Sequence, residues 1–377
     1  MSRRGCFILL ASFICILNSC NSSEDDKRKI SIGFSQSVDD DIWRTSMNHA
    51  MEVEASLHPE VNLKIYNANR QPKKQIRDIE KFIEDKVDVI IVSPFESDSI
   101  VPVIEKAKTK GIPVIIVDRK VNTSNYTAYL GADNIEVGRL AGKYLVSISK
   151  GHANVIQIYG DLKTSPGLER SLGFKQIIKQ YPGIKVFDID SDDFGHPKTN
   201  YIKLLDSLSD IDYVYAFNDL IAYNAWKIAK DKGLDKKIKF IGVDGLNGPF
   251  GGIQYVKDKI LVATVLYPTG GSEAIKLALR IVNQEIVSKN NKLNTILIDS
   301  LNADIMSNQF DKITIQQSDI EQQQNVIKNQ EMKYSTQGNL LKLLISLFII
   351  VLSLAIYSIY SGITIRRKKK ELEETNL

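Results

Sequence analysis

The chain has 377 residues, enough for two lobes of ordinary domain size plus accessory segments. Its formal charge of +4 comes from its ends: without Arg3, Arg4 and the basic run 366–370, and without Glu371, Glu373 and Glu374, acidic and basic side chains balance. A neutral body lacks the charge that neutralises phosphates, which argues against a nucleic-acid partner, and because Cys6, Cys15 and Cys20 all lie near the start, the rest must fold without disulfides or cysteine-held metal.

The chain opens with Arg3-Arg4 and an apolar run from Cys6 to Leu17, the length of a secretory signal core and short for a membrane span. It closes on Leu17-Asn18-Ser19-Cys20, which resembles a bacterial lipobox, so 1–20 is assigned as a signal segment. Lipidation at Cys20, ordinary cleavage and an uncleaved anchor all stay open.

From Lys29 to about Ile305, apolar strand-like runs alternate with amphipathic helical runs. The spacing predicts strands at Ile30–Phe34, Leu63–Asn67, Val87–Val92, Pro113–Asp118, Thr127–Gly131 and Asn154–Tyr159, then at Lys185–Ile189, Tyr213–Phe217, Lys239–Val243, Val262–Leu266 and Thr295–Ile298. Val87–Val92 and Ile112–Val117 are nearly continuous in apolar residues, as strands covered on both faces must be. Such alternation predicts a parallel, doubly wound α/β architecture, and so many strands call for two sheets. Ligands of such sheets bind beyond the strands' carboxyl ends.

Residues 311–339 are rich in Gln, Asn and Asp, with Ile313, Ile320, Ile327, Tyr334 and Leu341 at seven-residue intervals, and read as a juxtamembrane connector. The neighbouring seam positions Gln317, Gln324 and Glu331 are polar, so a stable coiled coil is not expected. A membrane helix is predicted over 340–365, uncharged from Leu343 to Ile365 and followed by Arg366, Arg367, Lys368, Lys369 and Lys370. Basic residues are retained on the cytoplasmic side, so 366–377 is a cytoplasmic tail and the large segment lies outside.

The predicted strand ends gather charge and aromatic rings: Asp39-Asp40-Asp41-Ile42-Trp43-Arg44, Asp118-Arg119, Glu169-Arg170, Asp192-Asp193-Phe194, Phe217-Asn218-Asp219, Asp244-Gly245 and Tyr267-Pro268. Singly, Asp and Asn at strand ends are most often helix N-caps, and a tryptophan most often covers core. Jointly they suit a sugar. Each sugar hydroxyl both donates and accepts, so carboxylates, guanidiniums and amides complete its hydrogen bonds, while the C–H faces of the ring pack on flat aromatics. His49, His58, His152 and His196 lack metal-ligand spacing, and no phosphate loop or nucleophile elbow appears, so neither an enzyme nor a cofactor is expected.

The motifs Ile32-Gly33-Phe34-Ser35-Gln36, Ile112 to Arg119, Gly131-Ala132-Asp133-Asn134 with Gly138, Glu169-Arg170 with Gly173-Phe174, Phe217-Asn218-Asp219 and Gly242-Val243-Asp244-Gly245 together resemble the periplasmic sugar-binding proteins of the ribose and galactose type. The resemblance covers roughly Lys29 to Ile305 and implies the two-lobed type 1 periplasmic-binding fold with three hinge crossings, near Asp133, Tyr267 and Leu297. It places the domain at 28–310, with lobe 1 at about 28–133 and 268–297 and lobe 2 at about 134–267 and 298–310. It also implies a ligand set of Asp41, Trp43, Asp118, Arg119, Arg170, Phe194, Asn218, Asp244 and Tyr267. Arg44 falls where the family often has a second aromatic, and Tyr267 where it usually has glutamine.

A binding domain followed by a connector, a membrane helix and a tail is similar to the sensory half of hybrid two-component sensors. The expectation is a single-pass inner-membrane receptor with its main domain in the periplasm, binding a monosaccharide and signalling through a histidine kinase, with homodimerisation left open. The alternative is a membrane-tethered binding subunit of a sugar ABC transporter, partnered by a permease.

Overall fold

The computed structural model describes residues 29–191, 199–208 and 210–375. The signal segment with Cys20, and Asp192, Asp193 and Phe194, lie outside the described residues.

Two six-stranded sheets form the frame. The first is parallel throughout, in the order β11 (Asn290–Leu293), β5 (Ala128–Ala132), β4 (Val114–Val117), β3 (Val89–Val92), β1 (Ile30–Gln36) and β2 (Val61–Asn67). The second runs β12 (Ile296–Asp299), β10 (Ala263–Leu266), β9 (Lys239–Asp244), β8 (Tyr213–Ala216), β6 (Ala153–Tyr159) and β7 (Ile184–Asp190). Only β12 in this sheet is antiparallel to its neighbour. β11 is absent from the sequence reading because Asn290-Asn291-Lys292-Leu293 has none of the β-branched or aromatic content that marks a strand; its pairing with β5 decides its conformation.

β3 and β4 are both Val-Ile-Ile-Val and fully buried, the result of helices on both faces. α1 (Ile42–Ser56) turns Trp43, Met47 and Met51 inward, and α2 (Pro72–Glu84) turns Ile79, Phe82 and Ile83. In the second lobe α4 (Asn134–Ser149) lies against α5 (Ser165–Ile178). Two glycines allow this approach: a Cβ on Gly138 would stand 2.1 Å from the Arg170 carbonyl oxygen, and one on Gly173 2.0 Å from that of Ile135.

The chain crosses between the lobes three times: from β5 into α4, from β10 through 267–270 into α9 (Gly271–Val282), which packs on α1, and at Asn294–Thr295 between β11 and β12. The third crossing precedes the expected Leu297, because β12 belongs wholly to the second sheet; the expected boundary at 297 falls inside that strand. One core cluster contains residues of both lobes, from Ile32 and Phe34 to Val243 and Tyr267, so the hinge is packed rather than loose.

After β12 comes α10 (Ala303–Thr375), a single helix of 73 residues. The expected division at 310/311 is therefore not a break in secondary structure. The chain separates instead into two compact units, Met1–Thr314 and Ile315–Leu377. Among the described residues, α10 alone is long and apolar enough to cross a membrane.

Gly173→Ala should destabilise the two-lobed unit by about 1–3 kcal/mol, the usual cost of forcing volume into a closed contact. Gly338→Ala, with nothing within 4 Å of an added Cβ, should not. Urea unfolding followed by circular dichroism reads both; equal midpoints would contradict the close α4–α5 packing.

Candidate functional site

The site is built on the carboxyl ends of the parallel strands. Just beyond β1, Asp41 caps α1, its Oδ1 accepting the Arg44 backbone N–H at 2.8 Å. The same carboxylate accepts from Arg44 Nη1 at 2.9 Å, and Arg44 Nη2 donates to Asp118 Oδ2 at 3.2 Å. Burial works against the Arg44 charge, but Asp118 and Asp41 outweigh it and raise the guanidinium's pKa. Arg44 thus occupies the first lobe's rim as a clamped cation.

Asp118 follows β4 with φ of 63°, a left-handed conformation that costs energy in a non-glycine residue and persists only where surroundings enforce it. Here Tyr129 Oη donates to its carbonyl oxygen at 2.8 Å. Next to it, Arg119 Nη1 donates to the Phe95 carbonyl at 2.9 Å, while Arg119 Nε is buried with no hydrogen-bond partner among the described residues. Burial, then the charge of Arg44, lowers the Arg119 pKa to about 10. A buried N–H without a partner is a donor available to a ligand oxygen.

In the second lobe Arg170 projects from α5 with its side chain 5% exposed. Its Nε donates to Asn134 Oδ1 at 2.9 Å and its Nη1 to the Phe217 carbonyl at 2.9 Å. The guanidinium carbon lies 4.7 Å from the Phe217 ring centroid and 4.6 Å from that of Tyr267, so two π-faces share one cation. Nη1 stands 3.6 Å from Asp244 Oδ1.

Asp244 ends β9 with φ of 118°, and burial pushes its carboxyl up to about 7 against the opposing pull of Arg170. The further contributors to that shift, Asp41, Arg44 and Asp118, all stand on the other lobe. Charged groups of the two lobes therefore act on one another across a single cleft. Behind Asp244, Asp219 accepts from the Gly245 N–H at 2.7 Å and from Thr264 Oγ1 at 2.7 Å, which holds the Asp244-Gly245 corner. Burial, followed by the charge of Asp244, raises the Asp219 carboxyl as well. The lobes also touch directly: the Lys120 N–H donates to Ser165 Oγ at 2.9 Å and Lys120 Nζ pairs with Glu169 at 2.7 Å.

Of the predicted set, Asp41, Asp118, Arg119, Arg170 and Asp244 line this cleft. Trp43 is 4% exposed and spends its Nε1–H on the Tyr267 carbonyl at 2.8 Å, with Arg44 over its ring at 5.5 Å. Any contact it makes with a ligand is through ring carbons. Asn218 caps α7 (Asp219–Asp231), its Oδ1 accepting the Ile221 N–H at 2.9 Å, so the capping role holds for that oxygen. The Tyr267 hydroxyl is engaged within the protein. That hydroxyl accepts from Asn134 Nδ2 at 3.3 Å and lies 3.5 Å from the Asp118 carbonyl, inside the hinge.

Sequence reasoning left Arg44, Asn134, Phe217 and Asp219 out of the set. For Arg44 the signal was present: it stands three residues after a capping aspartate, one helical turn on. Asn134 carried none, because its role depends on two residues remote in sequence.

A family model described as periplasmic binding protein domain matches residues 32–286. The chain belongs to that family. A galactofuranose-binding protein of Escherichia coli (strain K12) is 30% identical over 233 residues, which are 59% of this chain and 71% of that protein. Among solved structures, the fructose-binding periplasmic domain of a hybrid two-component system is 37% identical, with a TM-score of 0.74, over 78% of this chain and 99% of that one. The binding component of an arabinose ABC transporter from Shewanella sp. ANA-3, bound to L-arabinofuranose, is 25% identical with a TM-score of 0.70, over 76% and 98%. Membership makes the two-lobed unit a periplasmic binding protein domain, not an enzyme, and the relatives named above are sugar-binding proteins.

A carboxyl whose pKa is raised on folding holds its proton more tightly in the folded state, so stability is greatest below the unfolded value and falls as pH rises through the folded one. For Asp244 the window runs from about pH 4, the ordinary aspartate value, to about 7. Without ligand, Asp244→Asn should lose less thermal stability than the native protein across that window and run parallel to it above. Identical slopes in differential scanning calorimetry would refute the buried, raised carboxyl.

Proposed function

We propose that this chain is a membrane-anchored receptor that closes on a neutral monosaccharide and passes the closure across the membrane. The observation that carries the binding half is the cross-lobe constellation of Asp41, Arg44, Asp118 and Arg119 on one side with Arg170 and Asp244 on the other. Arg44 is matched by Asp41 and Asp118, and Arg170 by Asp244 and a carbonyl. With Arg119 near Asp118 as well, three guanidiniums face three carboxyl groups, and the cleft offers many donors and acceptors to hydroxyls. A ligand touching both rims favours the closed arrangement by its differential contacts, which is all a conformational receptor requires.

Fructose heads the candidate ligands, because the relative with 37% identity is a fructose-binding sensor domain. The galactofuranose and arabinofuranose relatives favour a five-membered ring form. The signalling half is supported by the start of α10. Its Ser307 donates to Asn247 Oδ1 at 3.1 Å, Asp311 accepts from Asn247 Nδ2 at 2.7 Å, and Met306 and Phe310 pack on the second lobe's core. Asn247 stands three residues after Asp244, so the loop that touches ligand also holds the helix. The transporter reading draws on the arabinose relative. A histidine kinase co-purifying with the full chain supports the receptor, and a permease the transporter subunit.

In a thermal-shift panel of fructose, arabinose, ribose and galactose, at least one sugar should raise the melting temperature of the native protein. Asp118→Ala and Arg170→Ala should remove that rise, each costing more than about 1.5 kcal/mol of binding through a lost charged hydrogen bond. Retained stabilisation in both variants would dismiss the cleft as the binding site.

A further inference from the structure

The α10 segment between the binding domain and the apolar span bears a repeat more regular than its Ile spacing alone. Ile313, Ile320, Ile327 and Tyr334 are each followed three residues later by Gln316, Gln323, Gln330 and Gln337, before the pattern turns wholly apolar at Leu341 and Leu344. In the Ile315–Leu377 unit, Ile320 is 39%, Ile327 54% and Tyr334 73% exposed, and Gln323, Gln330 and Gln337 are exposed too. A seven-residue repeat keeps both positions on one seam only if the helix supercoils around another.

We propose that this face is a seam for a second copy of the same chain, forming a parallel two-stranded coiled coil with alternating isoleucine and glutamine layers. Three observations select that occupant. A groove on a different protein reads apolar anchors at i, i+3, i+4 and i+7, and here i+3 and i+4 after Ile313 and Ile320 are glutamines that a groove would bury. Glutamine both donates and accepts, so an amide meeting its own copy at the same level is satisfied, which an unlike apolar partner cannot offer. The apolar span from Leu343 to Ile365 on the same helix would hold two copies parallel and at equal depth, the arrangement in which like layers meet. The flanks agree: in a parallel pair Asp319 faces Gln324, Val326 faces Glu331, and Lys333 faces Gly338, so no like charges are opposed.

β-Branched isoleucine at the first seam position suits a two-stranded pairing, and the polar second position lowers its stability. The seam is therefore weak by itself and depends on confinement of both copies in one membrane, which raises their effective concentration. This pairing stands whether the domain serves a kinase or a permease.

The test is oxidative cross-linking of the full chain in native membranes, with single substitutions Ile320→Cys, Gln323→Cys, Ile327→Cys and Gln330→Cys against Asn325→Cys and Lys328→Cys. Yields are read as the excess over the unsubstituted chain, which carries Cys6, Cys15 and Cys20. The seam positions should give several-fold more dimer of twice the chain mass than the other two. Introducing Ile327→Asn beside Gln323→Cys should reduce that yield several-fold. A flat profile, a maximum at 325 or 328, absence of any dimer, or cross-links only to a protein of different mass would each overturn the proposal.

Discussion

The buried guanidinium of Arg170 is the constraint on which the rest of the cleft depends. Removing such a group from water costs several kcal/mol even after relaxation, and one ionic contact rarely offsets it. Arg170 is offset by many partners: the Asn134 amide oxygen, the Phe217 carbonyl, the Asp244 carboxylate and two aromatic faces. Those partners come from the ends of β8 and β9 and from two of the hinge crossings. A cation that needs all of them keeps the second lobe's rim and the hinge in one geometry.

The hinge is linked to the site by the same atoms. Asn134 opens α4 immediately after the first crossing, and Tyr267 lies at the second. Asn134 joins the Tyr267 hydroxyl to Arg170, while Tyr267 reaches the Asp118 carbonyl and accepts Trp43 Nε1–H on its own carbonyl. Asp118 and Trp43 belong to the first lobe, and Arg170 to the second. Movement of one lobe against the other must therefore disturb a buried network whose members include ligand-facing groups. That is a physical route by which binding and closure become a single event.

The legible part of this protein was what local pattern determines. Continuous apolar runs gave β3 and β4, their alternation with amphipathic runs gave the doubly wound architecture, and strand-end position marked residues such as Asp41 and Asn218 as candidate caps. β11 was illegible because its strand character comes from pairing with β5 and not from its own residues. In the site, charged residues at strand ends could be named, since the parallel architecture dictates where such ends converge. How each is used could not. Tyr267 and Asp118 look alike as polar residues after a strand, yet the hydroxyl of the first is turned into the hinge and the carboxylate of the second toward Arg44. That difference is set by neighbours 74 to 149 residues away in sequence.

Asp219 shows why the same distinction matters for specificity. Gly242 and Gly252 admit its carboxylate so closely that an added Cβ would stand 2.1 Å and 2.0 Å from its oxygens. The carboxylate then takes the Gly245 N–H and fixes the corner at which Asp244 adopts its unfavourable φ. The strained aspartate faces the cleft, and the relaxed one behind it sustains the strain. Three residues on, Asn247 engages Ser307 and Asp311 of α10. The Asp244 corner is thus linked through Asn247 to the outgoing helix, and α10 begins as part of the second lobe. On the proposed closure, groups of the first lobe would act on a loop whose far end is already bonded to that helix, so no separate relay has to be invoked between the cleft and the start of α10.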